Sequence, residues 1–427
     1  MTLESSIIRN RFPALQSGAI FLDNPGGTQI ALSALERMEQ YLTTSNANHG
    51  GAFRTSQESD RILDAAHAAM ADFYNAARPE EIVFGNNMTS LTLHISRSLA
   101  RTWKEGDTIV VTRLDHDANI TPWVLAAEDR GVRVRWVDFH PEDGTLDLDD
   151  LQAALEEKPR LLAVGYASNA LGTINPLEEI IPMAHAAGAL VYVDAVQYAA
   201  HGPIDVQALG CDFLVASSYK FFGPHAGILY GRYNLLDSLF AYKVRPASNT
   251  PPGKFETGTQ NHEGIAGVLG TMEYLEWLGE TFGGEFSKDL SPHYKGRRMR
   301  LKQAIAAIRA YEYRLSRNLL DVLKSIRGLT LYGLSDPRRI KDRVPTFAFR
   351  LNGQHPREVA VQLGREDIYV WDGNYYALAV TERLGVEDKG GMVRVGAVHY
   401  NTERELKQLG DVLERIARTK AVAYAQP

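Results

Sequence analysis

Between residues 80 and 230, short apolar, β-branched runs alternate with longer stretches whose apolar positions recur at helical spacing. The runs predict strands over Glu81–Gly85, Thr108–Thr112, Val132–Val137, Leu161–Ala167, Ala189–Asp194, Asp212–Ser217 and Gly227–Tyr230. Helices are predicted to start near Thr89, Ala118, Leu148 and Pro176. Leu161–Gly165 and Leu190–Val193 are apolar without alternation. Strands with no polar face are covered on both sides, so the pattern predicts an α/β unit with a mostly parallel, seven-stranded sheet between two helical layers. Ligands of such sheets sit at the carboxyl ends of the strands.

After residue 290 the pattern changes. A long, basic helical stretch is predicted over roughly Tyr294–Ile326, then short strands near Thr346–Leu351, Ile368–Val370 and Met392–Val395, and a last helix over about Thr402–Ile416. Residues 20–290 are expected to form a large unit, and 1–19 with 291–427 a smaller α+β unit. No Pro/Gly-rich tether and no internal repeat separates them.

Composition narrows the partners more than the fold. Of 427 residues, 44% are apolar and 23% charged, which is ordinary for a globular chain. The net charge of −6 and the lack of any Lys/Arg block argue against nucleic acid and anionic membranes. The opening residues, MTLESSIIRNRFPALQ, lack the long apolar core of a signal peptide, and no apolar run is long enough to span a bilayer. One cysteine, Cys211, cannot form an internal disulfide, so a reducing, cytoplasmic setting is expected.

Five segments at strand ends carry polar chemistry. Ser217-Ser-Tyr219-Lys220-Phe-Phe-Gly-Pro224 follows an apolar strand; a lysine there is either a solvated loop residue or a desolvated amine fit for imine chemistry. Asp194, after Leu190-Val-Tyr-Val, is either the cap of the next helix or an anion held for a cationic ring nitrogen. Thr89 and Ser90 stand where a strand runs into a helix, which suits either an N-cap or a phosphate site. His116, in Asp115-His-Asp-Ala-Asn119, is either polar surface or a ring that stacks on a flat cofactor and moves protons; no Cys/His spacing supports a metal. In Ser168-Asn169-Ala-Leu-Gly172-Thr-Ile-Asn-Pro176, a turn explains Gly172 and Pro176 but does not require Asn169.

Read as a set, these segments resemble fold-type I pyridoxal 5′-phosphate (PLP) enzymes of the class V aminotransferase family, in its cysteine desulfurase-like branch. The resemblance runs from Phe21-Leu-Asp-Asn to Arg394 and is densest from Gly85 to Gly227. It implies that Lys220 holds PLP as an imine and moves the substrate proton. Asp194 would partner the ring nitrogen, and His116 would stack on the ring. Thr89, Ser90 and Ser217 would bind the phosphate, and Asn169 and Gln197 would lie near the ring oxygen. Tyr219 stands where the desulfurases carry histidine, with a phosphate or proton-transfer role. Thr259, in Phe255-Glu-Thr-Gly-Thr-Gln-Asn, would reach the phosphate of the other subunit of a homodimer. Arg394, in Gly391-Met-Val-Arg-Val-Gly, would clamp the substrate carboxylate, for which a planar guanidinium is suited.

The chain departs from that branch in one respect. A cysteine desulfurase takes sulfur from its substrate on a mobile-loop cysteine, but the matching Val370-Trp-Asp-Gly-Asn-Tyr-Tyr376 has none. Cys211 stands at the start of the strand before Lys220, where a small buried residue is expected. The leading expectation is therefore β-elimination from a cysteine-like amino acid, with epimerisation, transamination or cyclisation of a specialised amino acid as the alternative. Persulfide-forming desulfuration and a non-enzymatic PLP-fold scaffold stand behind these. The choice of substrate side chain is expected to lie with Asp372–Tyr376 and with the segment Asn46–Arg54.

Overall fold

The computed structural model describes residues 3–418. Its centre is a seven-stranded sheet in the order Ile82–Gly85, Gly227–Gly231, Phe213–Ser217, Leu190–Asp194, Leu161–Gly165, Thr108–Thr112, Arg133–Val137. Only Gly227–Gly231 runs antiparallel, against both its neighbours. Four of the predicted strands, Thr108–Thr112, Leu161–Gly165, Phe213–Ser217 and Gly227–Gly231, are buried at every position, as a sheet covered on both faces requires. Helices Met88–Ala100, Thr121–Glu128, Leu148–Glu156 and Leu177–Ala186 supply the crossovers.

The helix predicted from Ala118 begins at Thr121 instead. Asp117–Asn119 form a 3₁₀ turn, and Pro122 sits in the first turn of the helix, where its missing N–H costs nothing. Two helices of 21 residues each, Arg54–Tyr74 and His262–Phe282, have no counterpart in the sequence reading. Most of His262–Phe282 is buried, so it carries no polar stripe to mark its period. It packs so closely on Leu32–Gln40 and Gly296–Ser325 that a Cβ at Gly270 or Gly279 would meet the backbone of Ser33 or Arg300.

A second, antiparallel sheet runs Trp371–Gly373, Met392–Gly396, Thr346–Leu351, Leu329–Tyr332. Its Leu329–Tyr332 strand is not evident from the sequence pattern. The strand expected over Ile368–Val370 divides: Ile368–Tyr369 pairs in parallel with Ile20–Phe21, and Trp371–Gly373 joins the four-stranded sheet. Arg394, opposite both Ala348 and Trp371, lies in the middle of that sheet.

Candidate active site

The carboxyl ends of the large sheet open into a cleft whose inner end is a pocket. Asp194, Gln197 and Ser217 line the pocket, Asp23, Arg394 and Tyr375 line the cleft, and Thr89, His116, Asn169, Tyr219 and Lys220 line both.

Lys220 arrives on a 3₁₀ turn, Ser218–Lys220, directly after the Phe213–Ser217 strand. The turn is closed by Gly223 N donating to Ser218 O at 2.9 Å and by Ser218 Oγ donating to Pro224 O. Across the cleft, Thr28 donates its N–H (2.9 Å) and its hydroxyl (3.1 Å) to Tyr219 O, and Lys220 Nζ donates to Pro25 O. Burial and the nearby Arg394 charge bring the Lys220 ammonium down to a pKa of about 7, against the smaller opposing pull of Asp194 and Asp23. This is an amine available unprotonated near neutrality.

Asp194 ends its strand almost fully buried, with Oδ1 accepting from Val196 N at 2.8 Å. Burial raises its carboxyl to about 6, while that hydrogen bond and Lys220 pull the other way. A cationic ring nitrogen beside it would lower it further. Behind it, Asp115 is buried and accepts from Thr112 Oγ1 at 2.6 Å; burial and the Asp194 charge help hold it up at about 8. Gly165 makes room for it, since a Cβ there would lie 2.5 Å from Asp115 Oδ1.

His116 Nδ1 accepts from Ala118 N at 3.0 Å, so the neutral ring carries its proton on Nε2. Burial, Lys220 and Arg394 push its pKa down to about 3, and the ring stays neutral. At the start of Met88–Ala100, Asn87 and Ser90 form a capping box, and Met88 N donates to Ser217 Oγ at 3.0 Å. The Gly227–Gly231 strand passes directly beneath: a Cβ at Gly227 would lie 2.5 Å from the Asn87 carbonyl carbon.

Arg394 forms the far wall. Its Nη1 donates to Asn169 O at 2.9 Å, and its guanidinium lies 4.4 Å from the centre of the Tyr375 ring. Its Nε is buried without a partner, as is Asn169 Oδ1, while Asn169 Nδ2 donates to Tyr375 O at 2.9 Å. Gln197 Nε2 donates to Thr346 Oγ1 at 3.0 Å.

Two candidate residues lie apart. The Ser90 hydroxyl donates to Asn87 O at 2.9 Å and lines neither cavity, as a simple helix start requires. Thr259 is exposed in a separate groove with Asn48, His49 and His262, so within one chain it does not meet Lys220. The Asn46–Arg54 segment is also absent from the cleft lining.

This constellation can be set beside known proteins. The aminotransferase class-V family model matches residues 20–292 and 297–409. The chain belongs to the class-V aminotransferase family. A cysteine desulfurase of Pectobacterium atrosepticum is 33% identical over 96% of this chain and 97% of its own length. A cysteine desulfurase structure from Thermococcus onnurineus superposes with a TM-score of 0.85 at 28% identity, covering 98% of this chain and 100% of that one. The Escherichia coli cysteine desulfurase CsdA gives 0.81 at 25% identity, covering 97% and 98%.

Class-V enzymes of this kind use PLP, and the pocket fits it. A buried carboxylate, an amine of lowered pKa, a neutral imidazole and a helix start converge on one cavity, and Asn169 Oδ1 waits there without a donor. Three cleft residues escaped the sequence reading: Asp23, whose buried Oδ1 has no partner, Thr28, and His225 stacked 4.7 Å from Tyr219. The motif Phe21-Leu-Asp-Asn was visible as part of the resemblance, without a role. Tyr375 and Tyr376 line the cleft as the loop expected to choose the substrate side chain, but their left-handed backbone (φ 57° and 58°) gave no signal, because few side chains adopt that conformation.

Proposed function

We propose that this class-V enzyme cleaves the Cβ–S bond of a cysteine-type amino acid by β-elimination, without storing sulfur on the protein. When bound, PLP supplies an electron sink for negative charge at Cα. In this reading Lys220 holds the cofactor and then removes the α-proton, its lowered pKa making the neutral amine available. Asp194 partners the ring nitrogen, neutral His116 covers the ring, and Asn169 and Gln197 border it. Thr89, Ser217 and Tyr219 hold the phosphate at the start of the helix that Asn87 caps with Ser90. Arg394 receives the substrate carboxylate on the N–H groups left free around Nε. Thr259 would serve the same phosphate from a second copy of the chain, which makes the working form a homodimer. Residues 20–290 would carry the cofactor, and 1–19 with 291–427 the smaller unit. A reducing, cytoplasmic setting is in keeping with a single unpaired cysteine, and no helix among the described residues is long and apolar enough to cross a membrane.

The observation that carries the reading is the position of that thiol. Cys211 is fully buried at the amino-terminal side of the strand whose other end bears Lys220. It cannot collect sulfur from a substrate in the cleft.

A second reading has its own support. The relatives are named cysteine desulfurases, which favours sulfur transfer over elimination. With no thiol in the cleft, the acceptor would then be an external one. The two differ in balance: elimination converts cysteine and water to pyruvate, ammonia and hydrogen sulfide, whereas transfer converts cysteine and a thiol to alanine and a persulfide. Incubation of the PLP-loaded protein with cysteine, with and without an added thiol, should yield pyruvate and ammonia. Alanine formed only when the thiol is present would establish the second reading instead.

A further inference from the structure

The outer cleft holds a feature that neither cofactor binding nor carboxylate binding uses. Large apolar side chains are strongly exposed along its rim: Leu125 at 48%, Trp371 at 51% and Tyr376 at 74%. Leu93 and Pro122 continue the same wall inward. Scattered exposed apolar residues are normal, but ones converging on the mouth of a charged cleft mark a ligand surface.

Tyr376 is held there at a conformational cost. It and Tyr375 are consecutive non-glycine residues at positive φ, an arrangement that persists only where surrounding contacts enforce it. Those contacts are present. Asp117 N donates to Tyr376 O at 2.7 Å, Asn374 Oδ1 accepts from Tyr376 N at 3.1 Å, and the ring lies parallel to His116 at 5.6 Å. The backbone is thus fixed while, within one chain, most of the ring surface is left open.

Charge narrows the occupant. Among the described residues lining the cleft, Arg394 and Lys220 are the only guanidinium and ammonium groups, and both lie at its base. The rim offers no cation for a second carboxylate, and Asp117 beside Tyr376 would repel one.

We infer that Tyr376, Trp371 and Leu125 form an apolar subsite for the distal part of the substrate, and that the substrate class is amino acids with an uncharged, aromatic or bulky side chain, such as cysteine S-conjugates. The inference rests on the proposal that an amino acid binds at Arg394 and Lys220, but not on the bond that is broken.

Binding to the PLP-loaded protein tests it with homophenylalanine and 2-aminobutyrate, which have no β-leaving group, followed by calorimetry. Homophenylalanine should bind tighter by roughly tenfold or more, in keeping with the discrimination of apolar pockets. Tyr376→Ala and Trp371→Ala should each weaken homophenylalanine binding several-fold more than they weaken 2-aminobutyrate binding. Tyr376→Phe should keep the preference, because the ring surface and not the hydroxyl makes the contact. Equal affinity for the two amino acids, or a preference that survives both alanine substitutions, overturns the subsite. If the preference follows this pattern while S-benzylcysteine yields no pyruvate, the subsite stands and β-elimination falls.

Discussion

The inner pocket and the outer rim of one cleft are built by different means. Inside, Asp194 and Ser217 are the last residues of buried strands, and Lys220 follows three residues later. Their positions are inherited from neighbouring, buried strands of one sheet. Outside, Tyr375 and Tyr376 ride on a turn after the three-residue strand Trp371–Gly373, held by the Asn169 side chain and the Asp117 amide. In the proposed function the sheet would supply what every substrate of the cofactor needs, and the turn what distinguishes one substrate from another. Function carried on a rigid frame with selectivity on its loops is the general pattern.

The comparison breaks first if Lys220 is not the reactive amine. Lys220→Ala should abolish the visible absorbance of the lysine-bound cofactor and lower turnover by roughly 10²- to 10⁴-fold, the contribution of a placed acid–base group. Borohydride reduction and peptide mapping should label Lys220 in the unaltered protein. A label on another lysine would remove the basis for the whole inner site.

Arg394 joins the two regions, so its loss tests both. A bidentate, charge-assisted pair is worth about 2–4 kcal/mol, and Arg394→Ala should lower kcat/KM by roughly 30- to 1000-fold with cofactor still bound. It should also move a titration. Burial and then Arg394 hold the Lys220 amine at about 7. Only the neutral amine attacks an aldehyde, so loading of the apoprotein with PLP should speed up as pH rises through that value. Removing a neighbouring cation favours the protonated amine, and the midpoint should rise. A midpoint that stays or falls would show that the two groups do not interact.

What could be read from the sequence follows the same division. Asp194 and Lys220 were legible because each follows a run of apolar residues that can only be a buried strand, and a polar side chain there has a definite address. Thr108–Thr112 matched to the residue for that reason. Arg394 was legible through its motif but not its surroundings, since the Trp371–Gly373 strand beside it is too short to leave a period. Tyr375 and Tyr376 were visible as a loop that lacks a cysteine and was expected to choose the substrate side chain, but not in their conformation. Nothing in Asn-Tyr-Tyr announces two left-handed residues, because a tertiary context selects that conformation against local preference. Thr259 and Asn46–Arg54 were both expected at the site, and they share a groove elsewhere on the chain. For Thr259 that place is in keeping with the expected contact to the other subunit's phosphate, whereas Asn46–Arg54 carried no such assignment.

A smaller effect sharpens the boundary between the regions. The Tyr375 ring lies against the Arg394 guanidinium, and its hydroxyl is buried without a partner. A cation–π contact of this kind contributes about 0.5–2 kcal/mol. Tyr375→Leu should raise KM by roughly 2- to 30-fold with a smaller change in kcat, since Tyr375 acts by positioning Arg394. Tyr375→Phe should restore the original KM. If Phe proves as damaging as Leu, the hydroxyl has a role that the geometry does not assign to it.

The smallest expected effect tests whether the protein's one thiol takes part in the reaction at all. Cys211 is fully buried, and burial with the adjacent Asp212 pushes its thiol up to about 12. The thiolate, which is the nucleophile, is therefore scarce at neutral pH. Distance removes it as well: the five-residue Phe213–Ser217 strand intervenes before the Lys220 turn, roughly 17 Å at 3.3 Å per residue. Cys211→Ser should accordingly leave turnover unchanged while lowering stability by about 1–3 kcal/mol, because a hydroxyl gives up more hydration than a thiol on entering that site. Thermal unfolding and pyruvate release, measured on the same preparation, read the two quantities separately. Loss of turnover at an unaltered melting temperature would mean that the strand end opens to the cleft during the reaction, and sulfur transfer through this thiol would then displace elimination.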